Sequence, residues 1–241
     1  MTRSAALVTG SGRMDNIAAG IARRLADDRW DLALNYWSPT TGDGEAEQLA
    51  ADLRRSGAHV ALLPGDLSDP SEPDRLVADA VAAIGPLTGL VLSHAESRVS
   101  AILDTTVESF DRHMAINARA AWQLIAAFAR QATSGGSIVA LTSDHTAFNL
   151  PYGASKGALD RIVIAAAREL GSQAIRANVV NPGPVDTGWM ADDIRTALVS
   201  RQPTGRLGTP ADVAKLVAFL LSNDGAWTTG QLIHTDGGFS S

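Results

Sequence analysis

Apolar residues along the chain fall into two alternating patterns. Short runs of strand type occupy Ala5–Val8, Leu32–Tyr36, Val60–Leu63, Leu87–Leu92, Ser137–Leu141, Ile175–Val180 and Gln231–His234. Between most of them the apolar positions recur at helical spacing, as in Leu159, Ile162, Val163, Ala166 and Leu170, with Gly171 standing where a helix stops. That helix is expected from about Pro151 to Leu170, since proline is tolerated in a first turn. Alternation of strand and helix over seven strands predicts an α/β fold, a doubly wound and mainly parallel sheet with helices on both faces. There is no fixed repeat, low-complexity stretch or linker to divide it, so one domain is expected over residues 1–241. The least regular region runs from Pro182 to Pro210.

Composition narrows the function classes. The 241 residues are 45% hydrophobic and 19% charged, with no apolar run long enough to span a bilayer. Acidic residues exceed basic ones by 26 to 20, mixed along the chain, so there is no basic footprint for nucleic acid. The absence of cysteine removes disulfides, thiolate nucleophiles and cysteine metal sites, and no metal site is expected. The apolar run at Ala5–Val8 is too short for a signal peptide, which makes the cytoplasm the expected location.

In a doubly wound sheet, ligands bind beyond the carboxyl ends of the strands. The first such turn reads "VTGSGRMDNIAAG" and opens with Gly10, Ser11 and Gly12. The third glycine of G-x-G-x-x-G would fall at Asp15, so that fingerprint is incomplete. Small residues there still let the backbone approach a pyrophosphate, and a helix beginning at Asn16 or Ile17 points its N–H groups at an anion. After strand two, Tyr36, Trp37 and Ser38 stand where an NAD-preferring site places an acid. With Arg13 in the glycine turn, this favours NADP(H) over NAD(H), which stays possible.

Further along come the "GDL" of Gly65, Asp66 and Leu67, then "LSHAE" from Leu92 to Glu96, Asn117, Ser143, Tyr152-x-x-x-Lys156, "NPGPVDT" from Asn181, and "DGG" from Asp236. In this order the motifs resemble the short-chain dehydrogenase/reductase family over essentially the whole chain. The resemblance implies a Rossmann-like fold in which Asp66 and Leu67 contact adenine and Ser93 and Ala95 line the cofactor cleft. It further implies that Pro182, Gly183, Val185 and Thr187 hold the nicotinamide end, and that Asn117, Ser143, Tyr152 and Lys156 form a catalytic tetrad. Within it, Ser143 would orient the substrate oxygen, Lys156 would bind the nicotinamide ribose, and Asn117 would anchor a water in a proton relay.

The chemistry of a carbonyl–alcohol interconversion asks for these residue types. Hydride added to carbon must be matched by a proton given to oxygen, and Tyr152 is the candidate donor. A free phenol titrates near pKa 10, and an ammonium one helical turn away, at Lys156, is expected to lower that value. The bland reading of "SDHTAFNLPYGASK" is a polar loop entering a helix; the ordered motifs around it favour the active site.

Several features depart from the family pattern. Met14 and Asp15 lengthen the glycine turn, which resembles the divergent enoyl-reductase branch, but that branch spaces its tyrosine and lysine further apart. "SHAE" replaces NNAG, placing Glu96 where glycine gives the backbone more freedom. Eight residues separate Ser143 from Tyr152, a shorter connection than the family usually has. His94, and His145 carried by the shortened loop, are candidates for the substrate pocket, together with Trp189 and Met190 in a lid expected around residues 186–208. The resulting expectation is an enzyme acting on a small-molecule carbonyl or alcohol. Reduction of a carbon–carbon double bond and a non-catalytic cofactor-binding regulator remain as alternatives. A homo-oligomer, as in the tetramers of the family, is expected to pair the tyrosine-bearing helix through small residues at Ala165–Ala167, with no nucleic-acid or membrane partner.

Overall fold

A computed structural model describes residues 3–37, 44–188 and 190–241. Ser38 and Trp189 lie outside the described residues. The seven strands are β1 (Ala5–Thr9), β2 (Asp31–Tyr36), β3 (Val60–Pro64), β4 (Gly89–Leu92), β5 (Gly136–Leu141), β6 (Ile175–Asn181) and β7 (Leu232–His234). They form one sheet in the order β3-β2-β1-β4-β5-β6-β7, and every pairing in it is parallel, where the sequence led us to expect a mainly parallel sheet. The helices are α1 (Ile17–Asp27), α2 (Gly44–Arg55), α3 (Glu72–Ile84), α4 (Val107–His113), α5 (Ala120–Gln131), α6 (Leu150–Glu169), α7 (Asp192–Arg201) and α8 (Pro210–Leu221). No helix among the described residues is long and apolar enough to cross a membrane.

The period of two along each strand divides the core into two layers. In β1, Ala5 and Leu7 join the layer under α3, α5 and α6, whereas Ala6 and Val8 join the one under α1, α2 and α8. Both faces are therefore apolar, as the near-continuous hydrophobic strands require. Gly20 lets α1 and α8 pack closely, because a Cβ there would strike the backbone of Pro210 at 2.8 Å. On α6, Ala166 and Ala167 are buried and only Ala165 is exposed. Ala166 and Ala167 pack into the layer beneath the sheet, which leaves Ala165 as the exposed one of the three small residues.

One helical segment breaks the regular pattern. Between α4 and α5 the backbone widens into a π-helical turn at Met114–Arg119. Such bulges re-aim side chains and gather at functional sites. This one carries Asn117 inward, where it is 1% exposed.

Candidate active site

The order of strands reverses between β1 and β4, and a cleft of about 330 Å³ opens there at their carboxyl ends. Gly10, Gly12, Arg13 and Asn16 line it from the glycine turn, Tyr36 and Trp37 from the end of β2, Asp66 and Leu67 from the end of β3, and Ser93 and Ala95 from the end of β4. Gly10 has φ +78°, and a Cβ there would stand 2.9 Å from the His94 backbone. Glycine is thus required both for the conformation and for the close approach. Ser11 does not line the cleft; its amide donates to the Asn35 carbonyl at 2.8 Å and its hydroxyl to Val8 at 3.1 Å. Ile17 likewise packs against the core as the first residue of α1.

The lengthened turn is held by its own hydrogen bonds. Asn16 caps α1 by accepting from the Ala19 amide at 2.8 Å, and its Nδ2 donates to the Gly10 carbonyl at 2.7 Å. The Met14 amide donates to Glu45 at 2.9 Å and the Met14 carbonyl accepts from Arg23 at 2.8 Å, so α1 and α2 share the extra residues.

The wall formed by "SHAE" is buttressed by α4 and the π turn. Asn117 grips the backbone of Glu96 twice, accepting from its amide at 2.7 Å and donating to its carbonyl at 2.9 Å. The Glu96 carboxylate pairs with Arg98 at 3.1 Å and Arg112 at 3.2 Å, and the Arg98 amide donates to buried His113 at 3.0 Å. Glu96 is not among the residues with positive φ, so the glycine of the family pattern is not needed for this path.

His94 belongs to the same buttress. Its Nδ1 lies 2.7 Å from the Thr9 hydroxyl and its Nε2 lies 3.1 Å from the Ile116 carbonyl. The carbonyl can only accept, so Nε2 carries the proton and Nδ1 accepts from Thr9. Burial, with the charge of Lys156 nearby, pushes its pKa down to about 3. The ring therefore stays neutral near pH 7, and both nitrogens are engaged. His94 lines the cleft, and with its two bonds it ties the segment after β4 to β1 and to the π turn.

The proton-handling residues converge from two elements. Ser143 follows β5 by two residues; its hydroxyl lies near enough to the Tyr152 phenol to favour the phenolate, and it accepts from the His145 amide at 3.2 Å. Tyr152 and Lys156 lie one turn apart at the start of α6, with the ammonium 5.8 Å from the tyrosine ring centroid. The short connection fits because Gly153 has no side chain; a Cβ there would meet Thr146 Cα at 2.8 Å. Asn117 also donates to Ser155 at 2.8 Å, joining α6 to the "SHAE" wall.

The electrostatics differ from expectation in one respect. Lys156 is 2% exposed, and its ammonium donates to the Leu141 carbonyl at 2.8 Å. It does not lower the pKa of Tyr152, which burial pushes above its ordinary value; the opposing influence is the Ser143 hydroxyl. Burial also pushes the Lys156 pKa down to about 8, against the pull of Asp160.

The remaining predicted residues are placed as follows. Pro182, Gly183, Val185 and Thr187 follow β6 outside the cleft walls. Gly183 has φ +60°, and the Asp236 side chain occupies the space beside it. Val185 pairs with Gly208, closing the base of the 186–208 excursion that contains α7. Met190 is half-buried. His145 is exposed on its loop and, like Ser143 and Tyr152, lies outside the lining of the cleft at the glycine turn. Its backbone, packed against Gly153, fixes it there.

This arrangement has close relatives. A family model described as Enoyl-(Acyl carrier protein) reductase matches residues 10–240. The "Uncharacterized oxidoreductase YjdA" of Bacillus subtilis (strain 168) is 33% identical over 242 residues, covering 97% of this chain and 96% of that one. A solved structure titled "Short-chain dehydrogenase/reductase from Serratia marcescens BCRC 10948" superposes with a TM-score of 0.92 at 28% identity, covering 100% of this chain and 99% of that one. The chain belongs to the short-chain dehydrogenase/reductase family. A second solved relative in that comparison, a blue fluorescent protein from a metagenomic library in complex with NADPH, is 33% identical with a TM-score of 0.91, covering 99% and 98% of the two chains.

Membership makes the protein an oxidoreductase acting on small molecules. Within this short-chain dehydrogenase/reductase the cleft is also lined by Gly65 and Glu96, members of quoted motifs with no role assigned to them, and by Asn35, Arg112 and Ile116, which no motif announced. Asn35 and Gly65 lie beside expected residues at strand ends. Arg112 and Ile116 depend on the π turn, for which the helical periodicity carries no signal.

Proposed function

We propose that the protein is an NADP(H)-dependent oxidoreductase that interconverts a carbonyl and a secondary alcohol, with Tyr152 as general acid and base. The observation that carries this reading is that Tyr152 and Lys156 stand one turn apart at the start of α6, the ammonium 5.8 Å from the tyrosine ring centroid, with the Ser143 hydroxyl acting on the phenol. The glycine turn fits a nicotinamide dinucleotide, because Gly10 and Gly12 line the cleft and α1 begins beside them. When bound, that cofactor supplies or accepts the hydride. Ser143 orients the substrate oxygen and Tyr152 gives it a proton, or takes one in the oxidative direction. Lys156 supplies positive charge beneath the pair, and Asn117 keeps the wall and the helix in register. The 186–208 segment is proposed as the lid that excludes water, and a homotetramer as the assembly.

The choice of NADP(H) is supported by Arg13 in the cleft and by the absence of an acid at Tyr36 and Trp37. Arg13→Ala is expected to weaken NADPH binding about tenfold more than NADH binding, as loss of one charge-assisted contact does. Equal losses in a fluorescence titration would remove the argument.

Reduction of an activated carbon–carbon double bond is the second reading, favoured by the lengthened glycine turn and by the match to a family model described as Enoyl-(Acyl carrier protein) reductase. The two are separated by cofactor oxidation with ketones, an acetoacetyl thioester and an enoyl thioester. Turnover is expected with the carbonyl compounds, and turnover with the enoyl thioester alone would overturn the proposal.

A further inference from the structure

The helix of the 186–208 segment, α7, has no buried residue along its length. It is held at its two ends instead. At the leading end Arg195 pairs with Asp186. At the trailing end the Gln202 side chain, 6% exposed, donates to the Asp236 carbonyl, and the Arg201 guanidinium sits 4.7 Å from the centre of the Phe239 ring. Both trailing contacts are made to the turn that follows β7. That turn also reaches the 182–187 segment. The Thr235 amide donates to the Asn181 carbonyl at 2.8 Å, and the Gly183 amide donates to Asn181 Oδ1 at 3.1 Å. The Asp236 side chain fills the space beside Gly183, while its carboxylate closes the turn by accepting from the Gly238 amide at 2.9 Å and the Ser240 amide at 3.0 Å. One buried residue, Asp236, thus touches both Gly183 and the end of α7.

We infer that the turn after β7 is the anchor of α7, and that Gln202 and Phe239 are positioning residues that set the 186–208 segment against the 182–187 segment. The inference rests on the lid proposed above. A helix that buries none of its residues owes its place to a few contacts, so losing one of them lets it sample more positions. Ordering it over a substrate then costs more conformational entropy. Substrate affinity is the quantity that suffers. Proton transfer is carried by Ser143 after β5 and by Tyr152 on α6, neither of which touches the anchor.

The test combines hydrogen exchange with kinetics on Gln202→Met, which keeps the length of the side chain and removes its donor. Exchange of the amides at 192–202 should quicken about fivefold, the factor set by one typical net hydrogen bond, and KM for the fastest ketone of the panel should rise by a similar factor. Both kcat and NADPH affinity should stay within about twofold of wild type, since the catalytic residues and the cleft at the glycine turn are untouched. Phe239→Ala should act in the same direction and Phe239→Tyr, which keeps a ring under Arg201, should not; this pair serves if Gln202→Met does not fold. Exchange unchanged at 192–202, or quickened equally in the sheet, overturns the anchor, and quickened exchange with KM unmoved overturns its role in positioning. Wild-type protein that reduces no ketone would remove the proposed function instead, and the exchange result would still decide the anchor.

Discussion

Tyr152→Phe is expected to lower kcat at least ~100-fold while leaving NADPH affinity within about twofold of wild type, as loss of a general acid should. The phenylalanine ring fills the same space on α6, and the cleft walls around the glycine turn and the ends of β2 and β3 do not involve residue 152. What is lost is the phenol hydroxyl near Ser143, the group proposed to meet the substrate oxygen. Steady-state kinetics and an NADPH titration on the same preparation check both halves. Turnover close to wild type would contradict the assignment of Tyr152.

The second large effect is expected at Asn117, through structure and activity together. Its side chain satisfies the Glu96 amide and carbonyl and the Ser155 hydroxyl from a π turn buried beside the site. Asn117→Ala removes these three hydrogen bonds, leaving Ser155 only its bond to the Tyr152 carbonyl, at a cost of about 3 kcal/mol if each contributes a typical net hydrogen bond. It also uncouples the "SHAE" wall from α6, so kcat should fall more than about tenfold even where the variant is folded. Denaturant unfolding and kinetics measure the two effects separately, and unchanged values in both would show that the bridge carries no weight.

Much of this architecture was legible in the sequence because strand runs and helix periodicity are local signals. The seven strands fall within two residues of their expected limits, and α6 starts one residue before Pro151. Tyr152 and Lys156 were legible for the same reason, since their spacing alone puts them on one helix face. What escaped was set by contacts distant along the chain. The π turn has no glycine or proline to mark it, yet it aims Asn117 and brings Ile116 to His94. His94 looked available because its partners, Thr9 and Ile116, are remote in sequence, and the backbone of His145 is drawn against α6 at Gly153. Electrostatics were the least legible part. Lys156 was expected to lower the Tyr152 pKa, but its ammonium is spent on the Leu141 carbonyl while burial pushes the phenol the other way. The glutamate of "SHAE" raised a question of backbone freedom and turned out to anchor Arg98 and Arg112.

The central claim, hydride transfer to a carbonyl carbon with proton transfer from Tyr152, is tested most directly by following the hydride. The protein is incubated with NADPH deuterated at the transferring position and a ketone substrate, and the product is analysed by mass spectrometry and NMR. The expected product is the secondary alcohol with a single deuterium on its carbinol carbon. No labelled alcohol from any ketone, with deuterium appearing only at the β-carbon of a saturated thioester made from the enoyl substrate, would contradict it.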